Sequence, residues 1–324
     1  MLAKTLVPDL SIVIPCFNEG QCLGEFYNVL SSVCTAHPEY SCEFIFVDDG
    51  SKDNTAEIIS HFAEKDPRVV LLEFSRNFGK EGALTAGLRA SRGRMVVPID
   101  ADLQHPPQVI FELVDRYEQG DVDVVIAKRK SRDTDARWYQ VAVKLFYDIQ
   151  SKLTDCEIPR DAGDFRLISR EVVQVLNALP ENRRYMKGLF AWVGFKTTTI
   201  DYEIAERVAG GTKFSPLKLI SLAANGILDF SSAPLRFWIF CGFFLSSISF
   251  IYGMWIVFKT LMFGVDVPGY ASLITLVLFL GGVQLISIGV IGEYVGRIYS
   301  EIKHRPTYIV RSRKQINCSV RQDE

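Results

Sequence analysis

Two long apolar stretches in the last third of the chain restrict its fold more than any other feature. Residues 237–258 and 270–292 contain no Asp, Glu, Lys or Arg and are rich in Phe, Leu and Ile. A helix needs about 20 apolar residues to cross about 30 Å of hydrocarbon, so each stretch is long enough to span a membrane. The alternative, two buried helices of a soluble domain, is disfavoured because one core would have to cover both. The sequence therefore predicts a two-helix transmembrane hairpin over residues 235–295.

The charges around these stretches predict their orientation. Arg236 precedes the first stretch, and the connecting segment carries only Lys259 and Asp266. The residues after the second stretch are strongly basic: Arg297, Lys303, Arg305, Arg311, Arg313 and Lys314. Cytoplasmic flanks of membrane spans carry an excess of Lys and Arg, and the N-terminus shows no signal-peptide pattern. We therefore expect residues 1–214, a basic tail over residues 296–324 and both termini to lie in the cytoplasm.

Residues 215–234 form a separate segment before the first predicted span. Apolar residues recur there at roughly helical spacing from Leu217 to Phe230, and Lys213 and Lys218 lie beside them. This pattern predicts an interfacial helix that lies on the lipid headgroups. An amphipathic helix packed against protein explains the same pattern equally well.

Residues 1–214 alternate short apolar runs with helical patterns, which indicates βαβ units and a mostly parallel, Rossmann-like sheet. The net charge of the whole chain is -2, which excludes a globally basic nucleic-acid-binding protein. The predicted strands are Leu10–Ile14, Phe44–Val47, Val69–Phe74, Met95–Ile99 and Val122–Ala127. The predicted helices among them are Leu23–Val33 and Ala56–Ala63.

Acidic residues follow three of these predicted strands. They are Glu19 after the first, Asp48 and Asp49 after the second, and Asp100 and Asp102 after the fourth. Ligands of parallel sheets bind outside the carboxyl ends of the strands, so three such ends predict one binding edge. A single cluster would be explained as a turn that caps a helix, and we expect that role for Asp53. The absence of GxGxxG and GxxxxGK motifs disfavours a dinucleotide oxidoreductase or a P-loop kinase.

The Asp100-Ala101-Asp102 sequence suggests a particular chemistry. Two carboxylates at i and i+2 of a turn can face one ligand, and hard oxygen donors favour Mg²⁺ or Mn²⁺. Such an ion grips diphosphate oxygens and acts as a Lewis acid for a departing diphosphate. An Asp-x-Asp sequence alone is a weak signal, but its place at a strand end and the nearby Gln104, a further oxygen ligand, give it weight.

The motifs together resemble those of the GT-A fold, family 2 inverting glycosyltransferases. Within that family the chain is more similar to polyprenyl-phosphate sugar transferases, which include dolichol-phosphate mannose synthases and, with greater similarity, the bacterial and phage bactoprenol glucosyltransferases of O-antigen modification. The resemblance covers nearly the whole chain, including both apolar stretches. The segments that carry it are 13–19, 47–51, 74–81, 100–104, 163–167, 186–188, 206–213 and 292–297.

This resemblance implies a role for each matching position. The metal and diphosphate would be surrounded by Asp100, Asp102 and Gln104, and Asp164 matches the family's usual candidate for catalytic base. Asp100 and Asp102 would also take part in catalysis. The nucleotide-sugar site would comprise Pro15, Glu19, Asp49, Arg76, Asn77, Gly79, Lys80, Asp100, Ala101, Asp102, Arg207 and Lys213. The last two match a basic pair that closes on phosphates.

The role of Asp164 has more than one interpretation. A phosphomonoester has a second pKa near 6, so a lipid phosphate is largely dianionic at pH 7 and can attack without first losing a proton. Asp164 would then position the sugar rather than act as a general base. A purely structural role before the predicted strand Phe165–Ile168 is the third interpretation.

Two anionic reactants repel each other, so the site needs cations beyond one divalent ion. Lys128, Arg129 and Arg137 form a basic group after the fifth predicted strand, and we expect them to bind the lipid phosphate. The alternative is a solvated basic loop attracted to anionic lipids. His105, which has no partner histidine nearby in sequence, is expected only to mark the entry to a helix.

The resemblance implies transfer of a hexose, glucose first among the options, from a UDP-sugar to undecaprenyl phosphate. The product would be a lipid-phosphate sugar donor for O-antigen or other envelope glycan modification, formed at the cytoplasmic face of the bacterial inner membrane. The sugar could instead be mannose, galactose or an amino sugar. A processive polysaccharide synthase and an inactive membrane scaffold are less favoured alternatives. Relatives of this membrane type also suggest a homotetramer, for which close helix packing would be allowed by Gly281, Gly282, Gly289, Gly292 and Gly296.

Overall fold

The computed structural model describes residues 7–129, 162–182, 184–202, 233–263 and 269–315. The chain forms two units, one of which combines most of residues 1–219 with Pro306–Glu324. The other holds most of the segment Ile220–Arg305. The predicted interfacial helix over 215–234 lies outside the described residues except for its last two positions.

The first unit is built on one sheet, which has eight strands within the described residues. The strands are β1 Leu10–Cys16, β2 Cys42–Asp48, β3 Val69–Phe74, β4 Met95–Pro98, β5 Val124–Arg129, β6 Ala162–Ser169, β7 Thr197–Tyr202 and β8 Val310–Lys314. Their order in the sheet is β7-β5-β6-β4-β1-β2-β3-β8. Strands β4, β1, β2 and β3 run parallel, as do β5 and β7, whereas β6 and β8 are antiparallel to their neighbours. The predicted mostly parallel sheet is confirmed.

Helices cover the sheet and close its core. They are α1 Leu23–Ala36, α2 Thr55–Lys65, α3 Lys80–Ala90, α4 Val109–Glu118, α5 Arg170–Ala178 and α6 Met186–Trp192. Apolar side chains of the central strands, such as Ile12 and Phe44, are fully buried with Phe26 and Leu30 of α1. The helical patterns at Leu23–Val33 and Ala56–Ala63 correspond to α1 and α2, because each of these helices covers a face of the sheet with its apolar side, whereas α3 to α6 were not predicted.

Helix α3 packs closely against the sheet, and this packing determines where its first turn lies relative to the candidate site. A Cβ atom added to Gly87 would stand 2.1 Å from Cγ1 of Val13 in β1. Gly82, Ala83 and Ala86 are buried on the same helix. Because only hydrogen fits at Gly87, the backbone of α3 can approach β1, and the first turn of the helix reaches the carboxyl ends of the strands.

Two details differ from the sequence-based expectations. Helix α2 begins at Thr55, and its N-cap position is Asn54, one residue after the predicted Asp53. The Asp53 carboxylate nevertheless accepts a hydrogen bond from Thr55 N, the first amide of the helix, at 3.1 Å, and another from Gly20 N at 3.1 Å, so it also joins the loops after β1 and β2. In addition, the predicted tail contains β8, which pairs with β3 at the edge of the sheet.

The second unit contains two long helices, α7 Ala233–Phe263 and α8 Tyr270–Ile302. Both are long and apolar enough to cross a membrane, with mean hydropathies of 1.8 over Phe240–Phe263 and 1.4 over Phe279–Ile302. Helix α8 continues beyond the uncharged stretch, where Arg297 pairs with Glu293 one turn earlier at 3.0 Å. The two predicted spans thus correspond to two continuous helices.

Candidate active site

The centre of the candidate site is the ammonium group of Lys80 in the first turn of α3. Its Nζ lies 2.7 Å from Oδ1 of Asp100, which follows β4, and 2.8 Å from Oδ2 of Asp164 in β6. The Asp164 side chain is 18% exposed, and that of Asp100 is 32% exposed. Three segments that are distant in sequence therefore bring two carboxylates onto one cation at the edge predicted from the strand ends.

This arrangement shifts the proton affinities of its members. Burial by itself raises the pKa of Asp164, but the charges of Lys80 and then Lys187 outweigh it and hold the pKa below its ordinary value. Burial lowers the pKa of Lys80, whereas Asp100 and Asp164 raise it, and the net change is upward. The pair is therefore ionised at neutral pH. A carboxylate with a lowered pKa is a weak base, which bears on the interpretation of Asp164.

Glu81 follows Lys80 in the sequence, but its carboxyl differs from that of Asp164 in its ionisation. Its Oε2 accepts a hydrogen bond of 3.0 Å from the backbone N of Met186, which begins α6. Burial raises the pKa of Glu81 to about 7, so this carboxyl is partly protonated at neutral pH. Glu81 and Lys187, whose charge also lowers the pKa of Asp164, were not among the predicted site residues. Lys187 lies in the segment 186–188, one of those that carry the family resemblance, and this feature of the sequence could have identified it as a site residue.

The turn after β4 presents Asp102 and Gln104. Leu103 between them adopts a left-handed backbone with φ 58°, and Asp102 Oδ1 accepts a hydrogen bond from Gln104 N at 3.1 Å. The side-chain Nε2 of Gln104 is buried without a hydrogen-bond partner among the described residues. A buried donor of this kind needs an acceptor, and a diphosphate oxygen would be suitable. Ala101 between the two aspartates is buried.

A divalent cation fits this donor set in part. Within the described residues no group of three or more His, Cys, Asp or Glu side chains is placed to hold a metal. Mg²⁺, however, is commonly held by one or two carboxylates together with substrate phosphates. Asp102 and Asp100 supply hard oxygens of this type, although Lys80 engages both oxygens of Asp100. The metal roles of Asp100, Asp102 and Gln104 remain predictions.

His105 belongs to the site, and the expectation that it only marks a helix entry is wrong. Helix α4 begins at Val109, and the His105 ring instead packs against Phe165 of β6 with centroids 5.1 Å apart. Its Nδ1 lies 2.6 Å from Oη of Tyr202, and its Nε2 lies 4.0 Å from Oδ2 of Asp100. Burial lowers the pKa of His105, which favours the neutral ring. No signal in the sequence linked His105 to Tyr202, because β7 lies far along the chain.

The loop between β3 and α3, residues 75–79, is held by the turn after β2. Both oxygens of Asp49 accept backbone hydrogen bonds, from Phe78 N at 2.6 Å and from Gly79 N at 2.9 Å. Gly50 has φ 67°, and a Cβ there would stand 2.5 Å from the carbonyl carbon of Arg76. Asp49 is buried, so its carboxylate fixes the backbone of this loop from the interior side of the loop. Arg76 lies over the ring of Phe78 at 4.0 Å, and Asn77 is exposed.

The remaining predicted residues are less closely connected to the centre. Pro15 pairs with Val47 in the sheet register, and Glu19 N donates to Thr55 Oγ1 at 2.9 Å. Burial raises the pKa of Glu19. Lys128 lies near the end of β5 and is half-buried. The side chain of Arg129, and all of Arg137, Arg207 and Lys213, lie outside the described residues.

The chain matches two family models that divide it as the structure does. The model of glycosyl transferase family 2 matches residues 11–176, and the model of the GtrB C-terminal hairpin matches residues 233–298. The first match covers the sheet as far as β6 and α5, and the second covers α7 and most of α8.

Curated relatives match over almost the whole chain. A bactoprenol glucosyl transferase of Shigella phage SfV is 49% identical over 94% of this chain and 99% of the relative. A prophage bactoprenol glucosyl transferase homologue of Escherichia coli K12 is 46% identical over 94% of this chain and 99% of that protein. Among solved structures, glucosyl-3-phosphoglycerate synthase of Mycobacterium tuberculosis is 22% identical with a TM-score of 0.49, over 68% of this chain and 77% of that chain.

Proposed function

Because the chain belongs to glycosyltransferase family 2 and, within it, to the bactoprenol glucosyl transferases, we propose that it transfers a hexose from a UDP-sugar to undecaprenyl phosphate. The chain is a hexosyltransferase, and glucose is the sugar that its relatives favour. The observation that carries the proposed chemistry is the meeting of Lys80, Asp100 and Asp164 at the carboxyl edge of the sheet. The product is an undecaprenyl-phosphate sugar that donates its hexose to O-antigen or another envelope glycan.

In the proposed reaction a phosphate oxygen of the lipid attacks the anomeric carbon of the hexose. The bond between that carbon and the β-phosphate oxygen breaks, UDP leaves with the bonding electrons, and the configuration at the anomeric carbon inverts. The lipid phosphate is mostly dianionic at pH 7, so its attacking oxygen carries no proton that the protein must remove. Asp164, ionised and paired with Lys80, therefore positions the sugar and does not act as general base.

The departing UDP gains negative charge, which the site must stabilise. Lys80 offers a fixed cation beside the sugar, and the Nε2 of Gln104 offers a buried donor for a phosphate oxygen. Asp100 and Asp102 would hold Mg²⁺ or Mn²⁺, which when bound acts as a Lewis acid on the diphosphate. Arg207 and Lys213 would add positive charge, as the family resemblance implies. Lys128, Arg129 and Arg137 would bind the acceptor phosphate.

We propose that the chain lies in the bacterial inner membrane, and the two apolar helices support this location. Both are long enough to cross the inner membrane. The surrounding basic residues favour a cytoplasmic location for both termini and for the first unit, which carries the candidate site and is called the catalytic unit from here on. In this orientation the site would face the compartment where UDP-sugars are made. We also propose that the chain forms a homotetramer. Mass photometry of the detergent-solubilised protein tests this proposal, and a protein mass equal to one protomer would contradict it.

The decisive experiment uses the purified full chain in lipid nanodiscs. Radiolabelled UDP-glucose is supplied with and without undecaprenyl phosphate, and the lipid product and free UDP are measured. We expect UDP release only when the lipid phosphate is present, with a β-linked sugar in the product by NMR. Equal UDP release without the lipid, or an α-linked product, would contradict the proposed acceptor or the proposed inversion respectively. A parallel series with UDP-galactose, UDP-N-acetylglucosamine and GDP-mannose identifies the sugar.

The role of the basic group can be tested separately. Arg129→Ala should raise the KM for undecaprenyl phosphate and leave the KM for the UDP-sugar unchanged. The reason is that, in this proposal, Arg129 contacts the phosphate of the lipid and not the diphosphate of the UDP-sugar. An unchanged KM for the lipid phosphate would support the alternative, a basic loop attracted to the membrane surface.

A further inference from the structure

The chain that follows α8 returns to the catalytic unit and forms the edge strand β8. Leu72 pairs with Arg313 and Leu71 with Lys314 in an antiparallel register, which shifts between Glu73 and Phe74. The side chains support the pairing, because Ser312 Oγ donates to Glu73 Oε2 at 2.8 Å. This strand adds to β3, and β3 leads directly into the loop 75–79 that Asp49 holds.

Residues 307–309, just before β8, contact the beginning of this loop and approach the first turn of the helix α3 that follows it. Ser75 N, at its start, donates to the carbonyl of Ile309 at 3.0 Å. The carbonyl oxygen of Thr307 lies 3.5 Å from the position that a Cβ of Gly82 would occupy in the first turn of α3. The loop is thus held at two places, by Asp49 and by Ile309, and Thr307 lies close to the first turn of the helix that follows the loop.

Tyr308 provides the aromatic part of this support. Its ring stacks on Phe74 with centroids 5.2 Å apart and planes 9° apart. Phe74 in turn meets the edge of Phe78, inside the loop, at 5.8 Å. The ring of Phe78 is the surface on which the Arg76 guanidinium lies at 4.0 Å. Tyr308 therefore connects through two rings to Arg76, which the resemblance assigns to the nucleotide-sugar site.

We infer that Tyr308 is a positioning residue for nucleoside diphosphate binding, because it holds the loop 75–79 in its binding conformation through Phe74 and Phe78. This inference rests on the proposed function, in which the loop contacts the nucleotide. A loop that is ordered before the ligand arrives loses less conformational entropy on binding, so a pre-ordered loop binds more tightly. Tyr308 does not contact the reacting atoms in this arrangement, and its loss should weaken nucleotide binding without slowing the chemical step.

A merely structural role is the competing explanation, since β8 also covers an otherwise open edge of the sheet. The two explanations differ in what they predict for residues of β8 itself. Lys314 lies on β8, six residues after Tyr308, and its Nζ donates to Ser60 Oγ at 2.8 Å, away from the loop. If β8 only stabilises the sheet, changes at Tyr308 and Lys314 should affect melting temperature and leave nucleotide affinity alone.

The test compares Tyr308→Ala, Tyr308→Leu and Tyr308→Phe with the control Lys314→Ala, all in the full chain in nanodiscs. For Tyr308→Ala we expect the KM for the UDP-sugar and the Kd for UDP to rise about tenfold, with kcat within about twofold of wild type. Tyr308→Phe should behave as wild type because stacking needs only the ring. Tyr308→Leu, which keeps apolar volume, should show the same affinity loss with a smaller change in melting temperature.

The outcomes separate this inference from the proposed function. Equal UDP affinity in wild type and Tyr308→Leu, or an equal affinity loss in Lys314→Ala, would overturn the role of Tyr308. A wild type that binds UDP but transfers no sugar would contradict the proposed reaction alone, and the Kd comparison would still decide the role of Tyr308. A wild type that binds no UDP would overturn both.

Discussion

The ammonium of Lys80 lies 2.8 Å from the carboxylate of Asp164, so an ion pair joins the first turn of α3 to strand β6 at the centre of the candidate site. The resemblance assigned Lys80 to the nucleotide-sugar site and matched Asp164 to the family's usual candidate for catalytic base. Their contact makes the two roles interdependent. An aspartate that is held ionised by a lysine can orient a sugar, but it has little tendency to take up a proton.

Replacing Lys80 should change how activity depends on pH. In the wild type, Lys80 holds the pKa of Asp164 below its ordinary value, so Asp164 stays ionised through the mildly acidic range. In Lys80→Met the burial that remains raises this pKa, and activity should fall as pH decreases toward that raised pKa, where the wild type is still active. We expect kcat to fall about 100-fold as well. The measurement is the pH profile of kcat/KM from pH 5 to 8.

Lys80→Arg serves as the matched variant, since it retains the positive charge. Its pH profile should lie close to that of the wild type even if its rate is lower. A Lys80→Met profile that superimposes on the wild-type profile after scaling would show that Lys80 does not govern the ionisation of Asp164.

Removal of the metal, or of the carboxylate that would hold it, should abolish turnover. We expect Asp102→Asn to reduce kcat by about 100-fold or more, because an amide is a weaker ligand for a hard cation than a carboxylate. EDTA should have a comparable effect on the wild type, reversed by added Mg²⁺ or Mn²⁺. The control is Asp121→Asn, which alters an exposed pair with Arg116. Full turnover by Asp102→Asn in the presence of EDTA would exclude the metal role.

Glu81 should make the stability of the catalytic unit decrease as pH rises. Its pKa is about 7 in the folded protein and near 4.3 in an unfolded chain, so the folded state binds the additional proton between these values. This stabilising effect is complete below about pH 4 and is lost as pH rises through 7. Glu81→Gln, which retains an acceptor for Met186 N, should flatten the decline in melting temperature between pH 5.5 and 8. Parallel curves for both proteins would contradict the raised pKa.

Two glycine substitutions should affect stability in opposite directions. Gly87→Ala places a methyl group 2.1 Å from Val13 Cγ1, and α3 must move away from the sheet. We expect a loss of about 1–3 kcal/mol in the free energy of unfolding. Gly24→Ala in α1 meets nothing within 4 Å among the described residues and should stabilise the protein by about 0.5–1 kcal/mol. Urea unfolding in detergent measures both, and similar midpoints would contradict the close packing of α3.

Local pattern was sufficient to predict much of this protein. The strand Val69–Phe74 was predicted with its observed bounds, and both apolar stretches correspond to helices. These features depend on the periodicity of apolar residues, which reflects the burial of one face of each element. The rule that ligands gather at the carboxyl ends of parallel strands likewise indicated the position of Asp100 before any contact was known.

The tertiary structure decided which side chains meet. The pairing of Lys80 with Asp164, the contact between His105 and Tyr202, and the return of Val310–Lys314 to β3 each join segments that are far apart along the chain. Periodicity carries no information about such pairs, because it describes only which face of an element is buried. The sequence by itself therefore determined strands β1 to β6, helices α1 and α2, the membrane-length helices and the edge that carries the candidate site, but not α3 to α6, β7 or β8. Only the folded chain determined the partner, and hence the proton affinity, of each group at that edge.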